Sequence, residues 1–272
     1  MRWTPGNRGS IDDVRGRGGR AVPLGIGGFV VLLLLSWATG TDFLSLFTQT
    51  APTESVGTSG TPSDPAEEQL VDFVDAVTND AQYTWEELLG SRYQETRVVL
   101  FRDAVQSACG FAESATGPFY CPGDEKVYID LGFYEELQSR FGAPGDFAQA
   151  YVLAHEIGHH VQNVLGTEAQ VRQARGSRPD MANELSVRLE LQADCYAGVW
   201  AHSTAQRQLL ERGDVEEGLG AAAAVGDDRI QQMGGGRVAP EAFTHGTSEQ
   251  RMRWFRQGMD SGNPESCDTF QG

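Results

Sequence analysis

Between Arg20 and Arg92 the chain contains neither lysine nor arginine, and between Arg20 and Asp42 it contains no charged residue at all. Beyond the first twenty residues there is no basic stripe, and the formal net charge is −17 with a pI near 4.6. A chain so charged cannot neutralise a row of phosphates, which argues against nucleic acid or an anionic membrane surface as its main partner; the acidity reads as solubility. Cysteine is scarce, with four residues, and no internal repeat is present. The stretch 48–66, TQTAPTESVGTSGTPSDPA, has almost no large apolar residue, so it cannot bury a core and reads as a flexible tether.

The uncharged stretch is strongly apolar, including FVVLLLLSW within Val22 to Trp37. At about 1.5 Å per residue it spans the roughly 30 Å of a bilayer core, so one transmembrane helix is expected. A secretory signal peptide is the rival reading, but its apolar core is shorter and ends in a small-x-small site, which SWATGTDF does not provide. Arg2, Arg8, Arg15, Arg17 and Arg20 precede the stretch and no basic residue follows it until Arg92. The positive-inside rule then expects a cytoplasmic N-terminus, single-pass insertion in the cell membrane and an extracytoplasmic domain. The expected division is a basic head at 1–20, an anchor at 21–41, a linker at 42–65 and a domain at 66–272. With 272 residues and 40% hydrophobic content there is enough chain for one packed domain.

All four cysteines follow the anchor, where oxidising surroundings permit disulfides. Cys109 and Cys121 are the natural first pair, and Cys195 with Cys267 would then tie a helix to the C-terminal segment. Four reduced cysteines, with Cys195 as a small buried apolar residue, is the alternative.

The segment Ala150 to Gln162, AYVLAHEIGHHVQ, contains HExxH as His155, Glu156 and His159 in an apolar-periodic, helix-forming setting. Helical residues four apart lie about 40° from each other, so both histidines can reach one Zn²⁺. Glu156 stands beside the remaining coordination position, where it can take a proton from a water whose pKa the metal lowers to about 7. Catalytic zinc takes three protein ligands and an open position, so one ligand is still owed. Asn183 to Trp200, NELSVRLELQADCYAGVW, supplies Glu190, with Asp194 one turn later to accept the second ring N–H of a zinc histidine. A chance amphipathic helix with a solvated acidic edge is the competing account of that segment.

HExxHxxGxxH is excluded, because Gln162 and Leu165 occupy the glycine and third-histidine positions. His160 points about 100° away from His159 and belongs behind the ligands or at the surface. Cys195 turns to a different face from Glu190, which disfavours a closed structural site.

The head MRWTPGNRGSIDDVRG, the block FYCPGDEKVYIDLGFYEEL, the helix AHEIGHHVQN, the run ELQADCYAGVWA and the tail FTHGTSEQRMRWF resemble the neutral zinc metallopeptidase family of YpfJ-type proteins. The resemblance covers nearly the whole chain and implies a membrane-tethered zincin with a glutamate ligand. Other glutamate-type zincins carry Thr-His or Ser-His before an arginine-containing helix, which makes His245 a candidate oxyanion donor; a packed, hydrogen-bonded histidine is the alternative. The strand Lys126 to Asp130, KVYID, corresponds to one that pairs with extended substrate in such enzymes, and an ordinary edge strand is the alternative. The expected reaction is hydrolysis of a peptide or protein, with His155, His159 and Glu190 holding Zn²⁺ and Glu156 moving the proton. The reading from another class is a non-catalytic extracytoplasmic binding or chaperone-like domain that retains the core; a structural zinc would have no use for Glu156 beside an open position. Oligomeric state is left open.

Periodicity predicts helices over Ala66–Leu89, from Asp146 to near Gly166 with a capping box to Gln149, from Asp214 towards Gln232, and from Thr247 or Ser248. Strands are predicted over Tyr93–Phe101 and Lys126–Asp130. The expected fold is a mostly helical, zincin-like α+β domain with a small sheet.

Overall fold

The computed structural model describes residues 1–16, 64–235 and 237–271. The anchor expected at 21–41 and nearly all of the linker expected at 42–65 lie outside the described residues. Among the described residues, no helix is long and apolar enough to cross a membrane.

The first helix, α1, runs over Pro65–Leu89, one residue from expectation. Asp64 caps it by accepting from the N–H of Ala66, and Pro65 fits the first helical position, where no amide donor is needed. Its face of Val71, Val74, Val77, Ala81 and Trp85 is fully buried. The chain then makes a 3-10 turn at Gly90–Arg92, so strand β2 begins only at Arg97–Phe101, later than periodicity predicts.

One sheet has four strands. β1 (Ile11–Asp13) lies parallel to β2, β2 is parallel to β6 (Lys126–Asp130), and β5 (Phe119–Cys121) runs antiparallel along the other side of β6. A hairpin, β3 (Ala104–Ser107) and β4 (Gly110–Glu113), stands apart from it. β6 is therefore an interior strand over Lys126–Tyr128, where β2 and β5 pair with it on both sides, and the edges of the sheet are β1 and β5.

The first fourteen residues, expected within a basic head at 1–20, form one compact unit with Asp64–Gly272. Ile11 is in register with Val98, and Asp12 accepts from Arg97 and Lys126, each at 2.8 Å. Arg8, expected as a free basic flank, donates to Asp72 and Glu68 on α1, each at 2.6 Å. Trp3 packs edge-on against Phe73 with ring centroids 5.5 Å apart.

The helices that follow are α2 (Gly132–Ser139), α3 (Asp146–Val164), α4 (Thr167–Ser177), α5 (Ala182–Gln206), α6 (Asp214–Ala224), α7 (Asp227–Met233) and α8 (Ser248–Ser261). The content is mostly helical α+β, as expected. Two helix signals read differently in place. The cap of α3 is Gly145, with Asp146 inside the helix and its carboxylate turned to the Met1 ammonium at 2.7 Å. The helix expected to run from Asp214 towards Gln232 is two helices, because the N–H of Asp227 is drawn out of the ladder to the carbonyl of Gly246. The capping box of α8 is present, with Thr247 and Gln250 bonded reciprocally.

α3 is buried almost all round, as a helix apolar on every side must be. Phe147 stacks on Trp200 at 5.5 Å, and Tyr151 meets Phe255 edge-on. Where α3 crosses α5, Gly158 lies against Ala193; a Cβ at 158 would come within 3.0 Å of the Ala193 carbonyl oxygen. Where α5 crosses α8, a Cβ at Gly258 would lie 1.9 Å from the carbonyl oxygen of Cys195. These contacts of backbone on backbone set the spacing of the three helices that carry the candidate site.

Candidate metal centre

His155 and His159 occupy consecutive turns of α3, and the crossing at Gly158 brings Glu190 of α5 opposite both. Glu190 Oε2 lies 3.1 Å from His155 Nε2, and Glu190 Oε1 lies 3.4 Å from His159 Nε2. One ligand atom from each of these residues can be chosen so that all three lie within 4.8 Å of one another. Tetrahedral zinc with bonds of about 2.0–2.1 Å separates its ligand atoms by roughly 3.3 Å, so the donor set and its spacing fit that ion.

Both rings present the same nitrogen because the other is held. His155 Nδ1 donates to Asp194 Oδ1 at 2.8 Å, the role expected for Asp194. His159 Nδ1 donates to Gln162 Oε1 at 2.8 Å. In each case Nε2 is the nitrogen turned to Glu190 and the one left to bind a metal.

The electrostatics favour positive charge at this point. Burial opposes charge on His155, but Asp194 and Glu190 outweigh it and raise its pKa to about 10. Burial also opposes charge on His159, and Glu190 outweighs it. Glu190 would be raised by burial, yet His159 and His155 hold it well below the ordinary carboxylate range. Asp194, fully buried, is likewise held low against the effect of burial by Arg251 and His155.

Arg251 of α8 is the partner that sequence reasoning missed. Its Nε donates to Asp194 Oδ2 at 2.8 Å and its Nη2 to Asp194 Oδ1 at 2.9 Å, a two-pronged pairing. Tyr151 also donates its hydroxyl to Asp194 Oδ1. Arg251 is buried, one turn from Phe255 on the inward face of an amphipathic helix. That placement was the available signal, since an arginine on an apolar face needs a buried acid. Gln162 had a weaker one, standing three residues after His159 on the same helical face.

His160 is not at the surface. It is 1% exposed, accepting from the Tyr120 hydroxyl at 3.1 Å and donating to the carbonyl of Gln94 at 2.6 Å. Both nitrogens are used, and burial lowers its pKa, so it is a neutral packing residue tying α3 to the chain before β2.

Glu156, His245 and Arg251 join the ligand residues in lining one cleft of about 610 Å³, with the edge strand residues Phe119 and Tyr120 on its wall. Phe133, Phe141 and Ile230 supply an apolar side to it. About half of the His245 side chain is exposed, and its Nδ1 lies 3.1 Å from Asp227 Oδ1. Asp227 Oδ2 accepts from the backbone N–H groups of Thr244, His245 and Gly246, which holds the loop ahead of α8. The hydrogen bond to Asp227 raises the His245 pKa. Nothing in the sequence pointed to Asp227, eighteen residues before its partner.

Both disulfides anticipated from the cysteine positions are present. Cys109–Cys121 ties the β3–β4 hairpin to the edge strand, and Cys195–Cys267 ties α5 to the C-terminal segment.

The model of the family described as "Putative neutral zinc metallopeptidase" matches residues 1–270. The uncharacterized protein YpfJ of Escherichia coli K12 is 45% identical over 286 residues, which cover 99% of each chain. An uncharacterized protein of Mycobacterium tuberculosis H37Rv is 45% identical over 207 residues, 72% of this chain and 69% of its own. No solved structure matches the chain. With the family model running from its first residue almost to its last, the chain belongs to the Putative neutral zinc metallopeptidase family.

Proposed function

We propose that the protein is a zinc-dependent peptidase that hydrolyses peptide bonds in the cleft between β5 and α3. The observation that carries this reading is the convergence of His155 Nε2, His159 Nε2 and Glu190 beside Glu156 in an open cleft. His155, His159 and Glu190 would hold the metal. Bound there, zinc supplies Lewis acidity, lowering the pKa of water to about 7 and polarising the scissile carbonyl.

The chain's own groups do the rest. Extended substrate lies along the free edge of β5, its backbone pairing as a further strand and an apolar side chain turned towards Phe133, Phe141 and Ile230. Glu156 takes a proton from the attacking water as its oxygen bonds to the carbonyl carbon. His245, whose protonated form Asp227 favours, donates a hydrogen bond to the developing oxyanion. When the C–N bond breaks, Glu156 returns the proton to the leaving nitrogen, giving an amine and a carboxylate.

The test is hydrolysis of a peptide library by the full chain, with zinc content measured alongside. Glu156→Gln keeps the shape and cannot accept the proton, so it is expected to retain zinc and lose about 10²–10⁴-fold in kcat/KM. A zinc-loaded wild type that cleaves nothing, or a Glu156→Gln variant as active as wild type, would sink the reading in favour of a binding domain.

Attachment to the cell membrane through 21–41 is a separate proposal, supported by the uncharged apolar run. The two disulfides support an extracytoplasmic position for the folded unit. In this arrangement residues 1–14 and 64–272 share one side.

A further inference from the structure

The two candidate histidine ligands are held in chemically different ways. His155 rests on a carboxylate neutralised by a buried arginine. His159 rests on an uncharged amide that begins a chain of its own. Gln162, fully buried, accepts from His159 Nδ1 at 2.8 Å, while its Nε2 donates to the carbonyl of Leu189 at 2.7 Å and to Gln192 Oε1 at 3.1 Å. Gln192, also buried, donates from Nε2 to the carbonyl of Cys267 at 3.0 Å, and Cys267 is bonded to Cys195 on α5.

The polarity of this chain is dictated by its two backbone carbonyls. The carbonyl of Cys267 can only accept, so Gln192 must turn its NH₂ to it and its oxygen to Gln162. The carbonyl of Leu189 can only accept, so Gln162 must turn its NH₂ to Leu189 and Gln192 and its oxygen to His159. His159 must then carry a proton on Nδ1, which leaves Nε2 as the nitrogen that can bind a metal. Leu189 immediately precedes Glu190, so one side chain braces a ligand on each helix.

We infer that Gln162 and Gln192 are positioning residues that set the tautomer and orientation of His159 and couple them to the disulfide-bonded segment at Cys267. This rests on the proposed zinc site. Gln162 touches neither substrate nor metal; it acts through His159. Support of this kind accounts for about 10–100-fold in metal affinity.

The experiment uses the full chain loaded with Co²⁺ in place of zinc, read by NMR of the exchangeable ring N–H protons that the paramagnetic ion displaces. Zinc affinity is measured in parallel by chelator competition, and folding by circular dichroism. Wild type is expected to show two slowly exchanging ring protons, one from each ligand histidine. Gln162→Met is expected to keep the His155 proton, lose the His159 proton to rapid exchange and bind zinc about 10–100-fold more weakly. Gln192→Met, which leaves Gln162 in place, is expected to speed exchange of the His159 proton alone with a smaller loss of affinity, and it carries the test if Gln162→Met does not fold. Both protons intact with unchanged affinity in Gln162→Met would overturn the assignment, and the same result in Gln192→Met would overturn the link to Cys267. Failure of wild type to bind Co²⁺ or zinc would overturn the zinc site itself, a result distinguishable from either.

Discussion

Three side chains of the site are held by a neighbour on another element. His155 depends on Asp194, Asp194 on Arg251, and His245 on Asp227. The last pair gives a pH prediction. The His245 pKa is raised by Asp227, so the protonated ring persists above the ordinary histidine value near 6.5 and is lost as pH rises through its folded pKa. Its contribution to stability is present below about 6.5 and fades over that same rise. If His245 acts on the oxyanion, kcat/KM should fall along an alkaline limb set by this group. Asp227→Asn keeps an acceptor for the loop amides but removes the charge, so the limb should move to lower pH. A limb that stays where it is in Asp227→Asn would remove His245 from the mechanism. Arg251 offers a second check: truncation to Met leaves Asp194 as an uncompensated buried charge, a loss of about 3–5 kcal/mol readable in urea unfolding.

Helix spacing decides whether those side chains meet. The approach of α5 to α8 at Gly258 lets Arg251 reach Asp194, and the approach of α3 to α5 at Gly158 lets Glu190 face two histidines. Gly258→Val is expected to push α8 away, because its Cβ would meet the Cys195 carbonyl oxygen at 1.9 Å and a backbone atom cannot turn aside. Overpacking of this kind costs about 1–3 kcal/mol or more, so the urea midpoint should drop and zinc retention should drop with it. An unchanged midpoint with full zinc would mean that the crossing is more tolerant than the contact distance implies. The sheet teaches the same lesson. KVYID is legible as a strand, but whether a strand is interior or edge depends on its neighbours, and here the edge beside it is the three-residue β5.

For the whole molecule, the consequential feature is the parallel pairing of Ile11–Asp13 with β2, which joins the start of the chain to the unit that carries the candidate metal centre. The described residues contain no free cysteine, so an introduced thiol is a unique label. Asn7→Cys in the head and Arg172→Cys on α4, both exposed, should react alike with a membrane-impermeant maleimide on intact cells. Labelling of one and not the other would separate the head from the domain and restore a single crossing between them. The disulfides bear on the same scale: Cys195–Cys267 closes a separation of 72 residues, which by loop entropy is worth about 4 kcal/mol, and Cys109–Cys121, closing 12, about 3.

The sequence by itself determined what is local or chemically distinctive. HExxH and the four-residue step from Glu190 to Asp194 follow from helical period, and the spans of α1 and α3 and the start of α8 follow from apolar spacing. The short separation of Cys109 and Cys121 suggested one cysteine pair, and the fold fixed the connectivity of both. Tertiary structure alone decided what depends on contacts between distant residues. It assigned the burial of His160, the pairing of Arg251 with Asp194, the bracing of His159 by Gln162, the edge position of β5 and the inclusion of the head in the sheet. Apart from the step from His159 to Gln162, three residues along one helix, each of these is a choice of partner across tens of residues. A single sequence carries the charge or hydrogen-bonding capacity of a side chain, and only packing carries the identity of the group that satisfies it.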